Sequence, residues 1–526
     1  MGYPSQIMDR SGNYIVINYL ASGLIDTIQD TLGRYIRFRY EYDPSQDCGY
    51  SSQCFHNSHR LVSVTVPSFG DPCPGCINST DRQAVRLYYD TISINQPGSF
   101  TVPTRAPATA RVIRYVYFPG TQSGFRYNYS SYGMISEVKQ LRGMTVSSTA
   151  LTQQGTVTGE GQTAASSNYN YPQTPSSLSN TPSFTQRTDD WAGRTSAQSI
   201  YSFSVNQAAG TATITAPNGT ITTTQSIVAQ GQWNDGLVTD ITQQGGALTV
   251  TTHNVWETDT GGVNPRVQQA QVTNEAAQSR TTQFTYTTYN NVSIVREVGF
   301  SNEELRRTET TYQTGAQWIN RYLLRLPTSV KVFAGGATQP ASRVDYAYDI
   351  GAALTARAGI VMHDETYDPY LAAYDPATDY RGDLISVTRY INAADPAQGT
   401  IVDTKDHDVA SNLTSQTANC CRVKAYDYFS GYYFANITQL TQGDTQHQQN
   451  AVYDFNTGLV TSTTDQNGKV TTYEYYPDSL RLYRTTRPDG GYTVIEYGDG
   501  LYVDPDQSHL HSWTKTTTLI EGTMVS

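Results

Sequence analysis

In several stretches of the chain, apolar residues fall at every second position, starting a fixed distance after a glycine. Counting three, five and seven residues on from Gly12, Gly33, Gly468 and Gly490 gives Ile15, Ile17, Tyr19; Ile36, Phe38, Tyr40; Thr471, Tyr473, Tyr475; and Thr493, Ile495, Tyr497. The intervening positions hold Val16 and Asn18, Arg37 and Arg39, Thr472 and Glu474, Val494 and Glu496. Alternation of this kind marks a strand with one packed face and one wet face. On that assignment Phe38→Ala costs about 3 to 5 kcal/mol as a core truncation, and Arg37→Ala is near neutral.

The glycines sit in turns. Asp9-Arg10-Ser11-Gly12-Asn13 and Asp30-Thr31-Leu32-Gly33-Arg34 recur at a spacing of 21 residues, and Asp465-Gln466-Asn467-Gly468 and Arg487-Pro488-Asp489-Gly490 at 22. An Asp or Asn with small neighbours supplies the side-chain acceptor and the permissive backbone of a tight turn. A second strand precedes such turns at Leu24-Ile25-Asp26-Thr27, Met134-Ile135-Ser136, Leu384-Ile385-Ser386, Leu413-Thr414-Ser415 and Leu459-Val460-Thr461. Each unit therefore reads as strand, turn, strand, and a fixed period marks a repeat architecture. Between the two repeat-rich ends, Thr211 to Thr223 reads as a hairpin around Pro217-Asn218-Gly219. Thr314 to Arg325, stopped by Pro327, is the one stretch that suggests a helix.

Tyr-Asp dipeptides punctuate the strand ends at Tyr42-Asp43, Tyr89-Asp90, Tyr348-Asp349, Tyr367-Asp368, Tyr374-Asp375, Tyr426-Asp427 and Tyr453-Asp454. The run Tyr453-Asp454-Phe455-Asn456-Thr457-Gly458-Leu459, then Asp465 to Gly468, then Tyr473-Glu474-Tyr475 closely resembles the tyrosine-aspartate (YD) repeat of bacterial Rhs proteins, insecticidal toxin-complex shells and teneurins. The resemblance is clearest over residues 1–145 and 340–500. It implies an all-β fold, in which hairpins form one continuous antiparallel sheet that spirals into a shell wall. It also implies a non-enzymatic role, enclosing cargo or contacting cells, with the remaining shell or toxin segments as partners. The self-cleavage element of Rhs toxins has no counterpart in the tail, where Asp504-Pro505-Asp506 is a lone match. A segment of a larger array, or a cargo-free member, is the expectation.

Composition narrows the rest. The 526 residues carry 35 basic and 46 acidic side chains, a formal charge of -11, so the basic footprint of nucleic-acid binding is absent. Charged residues are only 15%, whereas Gly (41) and Tyr (40) abound, which favours β-structure over helix. No run reaches the roughly 20 apolar residues of a membrane-spanning helix, and the first residues lack the parts of a signal peptide. An extracellular or surface location then requires a longer precursor or another export route. Three regions are expected: 1–145 with an insertion over about 43–81, a Thr/Ser/Gln-rich β region at 146–340, and 341–526.

Candidate chemistry is sparse. Cys48, Cys54, Cys73 and Cys76, with His56 and His59 between, admit a zinc site, disulfides or free thiols; the long Cys48 to Cys54 spacing places disulfides first. Cys420-Cys421 reads as two thiols at a strand edge rather than a strained ring. His509 and His511 share a strand face but lack a third ligand. Asp189-Asp190 and Glu303-Glu304 point to opposite faces of a strand, so neither doublet supplies the facing carboxylates of a glycosidase. Asp465 to Gly468 begins like a calcium loop without its closing Glu, and Arg381-Gly382-Asp383 sits where an ordinary turn belongs. No cofactor is called for. The alternative function is a carbohydrate-binding or adhesion module using exposed tyrosines, with glycans as partners.

Overall fold

The computed structural model describes residues 3–31, 34–42, 59–70, 81–93, 109–131, 133–171, 184–194, 197–349, 354–355, 360, 362–364, 380–419, 422–428, 435–442, 445–454, 456–503, 510–520 and 523–525. Among these, 34 strands join one sheet. From Gln6–Met8 to Thr523–Val525, each strand pairs antiparallel with the strand before it and the strand after it. Among the described residues the chain steps out of this order once. Ile135–Arg142 pairs with Gln162–Asn170, while Thr145–Val146 and Val157–Gly159 between them form a separate two-stranded hairpin.

The turns repeat one geometry. The N–H of the first turn residue bonds the carbonyl four residues on, as in Asp9 to Asn13 (2.8 Å), Leu20 to Leu24 (2.8 Å), Asp465 to Lys469 (2.9 Å) and Arg487 to Gly491 (2.7 Å). The fourth residue takes a positive φ, +84° at Gly12, +72° at Gly468 and +84° at Gly490. Only glycine adopts that conformation without a Cβ penalty, which is why glycine sets the register of the pattern. Asn302 and Ser411 fill the same place in other turns, with φ of +63° and +62°. The hairpin expected at 211–223 forms between Thr211–Thr215 and Ile221–Ser226.

Two expectations are corrected. The helix is a single turn, Ala316–Ile319. Tyr322 follows with φ of +57°, outside helical geometry, and Pro327 already opens the strand Pro327–Ala334. Trp318 anchors the turn against Tyr348 and Tyr380, with ring centroids 6.3 and 4.6 Å away. The second correction concerns the strand Tyr35–Tyr42. Arg37 is 3% exposed and Ile36 39% exposed, so the face taken as wet is the buried one. The excursion over 143–161 lies across it. Leu151 accepts from Ser63 Oγ (2.8 Å), Gln154 donates to the Tyr89 carbonyl (2.9 Å), and Met144 joins Tyr88, Tyr117 and Leu141 in an apolar cluster. On the same face Arg37 pairs with Asp81 at 2.9 Å.

Candidate functional site

Repeat tyrosines recur at bulges in the ladder. Tyr19 stands opposite Ile25, Tyr40 opposite Leu61, Tyr89 opposite Ile113, Tyr286 opposite Val292 and Tyr475 opposite Leu482, each with a register shift at that point. A bulge disrupts the hydrogen-bond ladder locally. A carbonyl at or near it is taken up by a tyrosine or tryptophan further along the chain. Tyr40 donates to the Ile25 carbonyl (2.8 Å), Tyr89 to Leu61 (2.9 Å), Tyr129 to Ile113 (2.6 Å), Tyr312 to Val292 (2.8 Å), Tyr428 to Leu413 (2.7 Å), Tyr475 to Val460 (2.9 Å) and Tyr497 to Leu482 (3.0 Å). Tyr19 donates likewise to Pro4 (2.9 Å). The sequence pattern missed Trp256, whose Nε1 donates to the Val238 carbonyl at 2.9 Å in the tyrosine's place. Tyr286 then continues the series onto Val267 (2.6 Å).

The aspartate after the tyrosine organises the turn. Asp349 accepts N–H groups from Arg381 (2.9 Å), Gly382 (2.6 Å) and Asp383 (2.8 Å). Burial, reinforced by the charge of Asp383, still leaves its carboxyl above the usual carboxylate range. Asp454 accepts from Thr457 N (2.9 Å) and Oγ1 (2.7 Å), and Gly458 completes that turn at a φ of +75°. Asp408 does the same after His407, accepting from Ala410 (2.9 Å) and Asn412 (2.8 Å). Tyr453 closes Thr445–Tyr453, Tyr473 lies 3.3 Å from Thr463 Oγ1, and Phe38 is half-buried. Gly33 lies outside the described residues.

These turns form a seam where the sheet comes back upon itself. Ser11 Oγ bonds Ser411 Oγ across a separation of 400 residues, and Asn13 Nδ2 donates to the Ala410 carbonyl (3.1 Å). Tyr14 N donates to Met362 (2.9 Å), and Arg10 lies 3.8 Å from Asp383. Further along, Gly70 N donates to Asp454 Oδ2 (2.8 Å), and Leu501 N to Gln162 Oε1 (2.7 Å) across 339 residues. Arg381-Gly382-Asp383 is part of this seam: Arg381 is 0% exposed and bonds the Val409 carbonyl, so no receptor reads the tripeptide in the folded chain.

The acidic doublets are engaged singly. Asp189 bonds Ser167 Oγ (2.7 Å) and Asp190 bonds Gln198 (2.8 Å). Glu303 accepts from Ser301 N (2.8 Å), while Glu304 pairs with Arg296 (2.8 Å) and Arg307 (2.9 Å). Asp465 Oδ1 accepts backbone N–H groups from Asn467 and Lys469, which orders the turn from within. Cys48, Cys54, Cys73, Cys76, Cys420, Cys421, His56 and His509 lie outside the described residues. Among those described, no group of three or more His, Cys, Asp or Glu side chains is placed to hold a metal, and no helix is long and apolar enough to cross a membrane.

No family model and no curated protein matches the chain. Among solved structures it is similar to TcdB2-TccC3 without its hypervariable C-terminal region, at 13% identity and a TM-score of 0.36, over 99% of this chain and 21% of that one. The Photorhabdus luminescens Tc holotoxin pore gives 12% identity and a TM-score of 0.35, over 97% and 27%. A porin-like protein from Bacteroides uniformis gives 10% and 0.18, over 61% and 89%. The chain thus spans between a fifth and about a quarter of the first two.

Proposed function

We propose that this chain is a non-enzymatic wall segment of a larger β-shell of the Rhs/YD-repeat kind, released outside the cell, where it encloses cargo or meets another cell. One observation carries the reading. Among the described residues, a meander of 34 strands in chain order rejoins itself through contacts 339 to 400 residues apart. A sheet wound in this way surrounds a space rather than filling it. Its stability comes from neighbour on neighbour, as in other repeat arrays. The hydroxyls of Tyr19, Tyr40, Tyr475 and Tyr497 are committed to carbonyls, so these four do not serve a glycan platform.

The test is the native particle. Its mass in source cells is expected to exceed that of this chain, 58.0 kDa, and electron microscopy is expected to reveal a hollow lumen bounded by one sheet. A solid particle of a single 58.0 kDa chain overturns the reading.

A further inference from the structure

Between the segment 143–161 and the turn that carries Asp478, a cleft of about 490 Å³ opens, lined by Arg82, Arg86, Ser147, Ser148, Thr149 and Asp478 among others. That is within the size range of ligand sites. We propose that this cleft binds an oxyanion of the sulfate or phosphate class, gripped by Arg82 and Arg86 and seated among the hydroxyls of 147–149.

Arg86 is 3% exposed, and its Nη2 donates to Thr149 Oγ1 (2.7 Å) and to the carbonyls of Ala150 (3.3 Å) and Gln153 (2.7 Å). No carboxylate answers it among the described residues, and its buried Nε has no acceptor. A buried cation held only by neutral acceptors is costly, since buried charges are ordinarily paired. Arg82 is in a related state. Among the described residues its buried Nε also has no acceptor, no side-chain hydrogen bond is formed, and Asp478 is the charge that bears on it. The remaining carboxylate of the lining, Asp81, is already paired with Arg37. Two guanidinium groups against one uncommitted carboxylate leave one positive charge over. A planar guanidinium lining a cleft is the usual partner of a tetrahedral or carboxylate oxyanion, and hydroxyls can donate to its remaining oxygens. The wall reading does not enter this argument.

Arg82→Gln is the probe variant, because the Arg82 side chain holds no hydrogen bond among the described residues. Sodium sulfate, sodium phosphate and sodium chloride at matched ionic strength are titrated against the full chain by calorimetry and thermal melting. Saturable binding of sulfate or phosphate, absent with chloride and weakened at least tenfold in Arg82→Gln, is the expected result. A sulfated oligosaccharide run in parallel distinguishes the sources: tighter binding than free sulfate assigns the site to a glycan sulfate ester, and equal or weaker binding to the free ion. Identical responses to all three salts, or sulfate binding that Arg82→Gln leaves unchanged, overturn the proposal. A melt of Arg82→Gln in chloride that matches the unsubstituted chain shows that the fold is intact.

Discussion

The strands of residues 35–142 and those of 186–286 share one grammar of alternating side chains, αL turns and bulges, yet they are packed differently. In the first stretch Leu141 is 1% exposed, and Val62, Ser63, Thr65 and Arg86 are buried with it. In the second, no described residue between 145 and 290 is buried, and Leu248 is 63% exposed. The difference is one excursion of chain, 143–161, laid across the first stretch of the sheet and not the second. Strand pairing alone makes a sheet; a dense core requires a second layer. The open stretch relies on cross-strand pairs instead, such as Thr213 with Thr223 (3.3 Å) and Thr242 with Thr251 (3.2 Å) between hydroxyl oxygens, contacts worth a few tenths of a kcal/mol to about 1 kcal/mol each.

That contrast can be broken. Arg37→Ala is expected to cost about 3 to 5 kcal/mol by urea denaturation, because it strands Asp81 beneath the covering segment; a neutral result would return Arg37 to the wet face. Leu141→Ala is expected to cost about 2 to 5 kcal/mol, whereas Leu248→Ala in the open sheet should stay within about 0.5 kcal/mol. Equal costs would erase the distinction between the two regions. Tyr475→Phe removes one hydroxyl-to-carbonyl bond and should cost about 1 kcal/mol, read as faster amide exchange across Val460–Thr464.

The smallest effect is electrostatic. Burial pushes the Glu137 carboxyl up, but the Arg126 hydrogen bond and the charges of Lys139 and Arg126 outweigh it and hold the group below the usual Glu range. A depressed pKa contributes stability that is present above the ordinary Glu value and lost as pH falls through the lowered one. Amide protection in Ile135–Arg142 should therefore weaken on acidification by less than about 1 kcal/mol. Thr211–Ser226, which contains no carboxylate, is the internal control. Glu137→Gln should flatten the pH dependence, and an unaltered profile would exclude this ion pair as its source.

Part of the site was legible in the sequence. The turns could be read because a positive φ favours Gly or Asn, and the strands because alternation has a period of two. Trp256 was hidden, since its indole N–H performs a phenol's task without resembling the motif. The tyrosines were marked as core, yet what distinguishes them is the bulge carbonyl that their hydroxyls reach, which alternation does not encode. The face of Arg37 was misread because nothing within Tyr35–Tyr42 announces that residues 143–161 will lie upon it.

Sequence by itself determined the all-β class, the hairpin unit and its register, because those depend on neighbours within about 25 residues and on the allowed backbone of single positions. The tertiary structure decided which face is dry, why Arg381-Gly382-Asp383 is inaccessible, and how Ser11 comes to meet Ser411. Those outcomes depend on how bulge and twist accumulate strand by strand until distant turns touch, a sum over the whole sheet that no local pattern records.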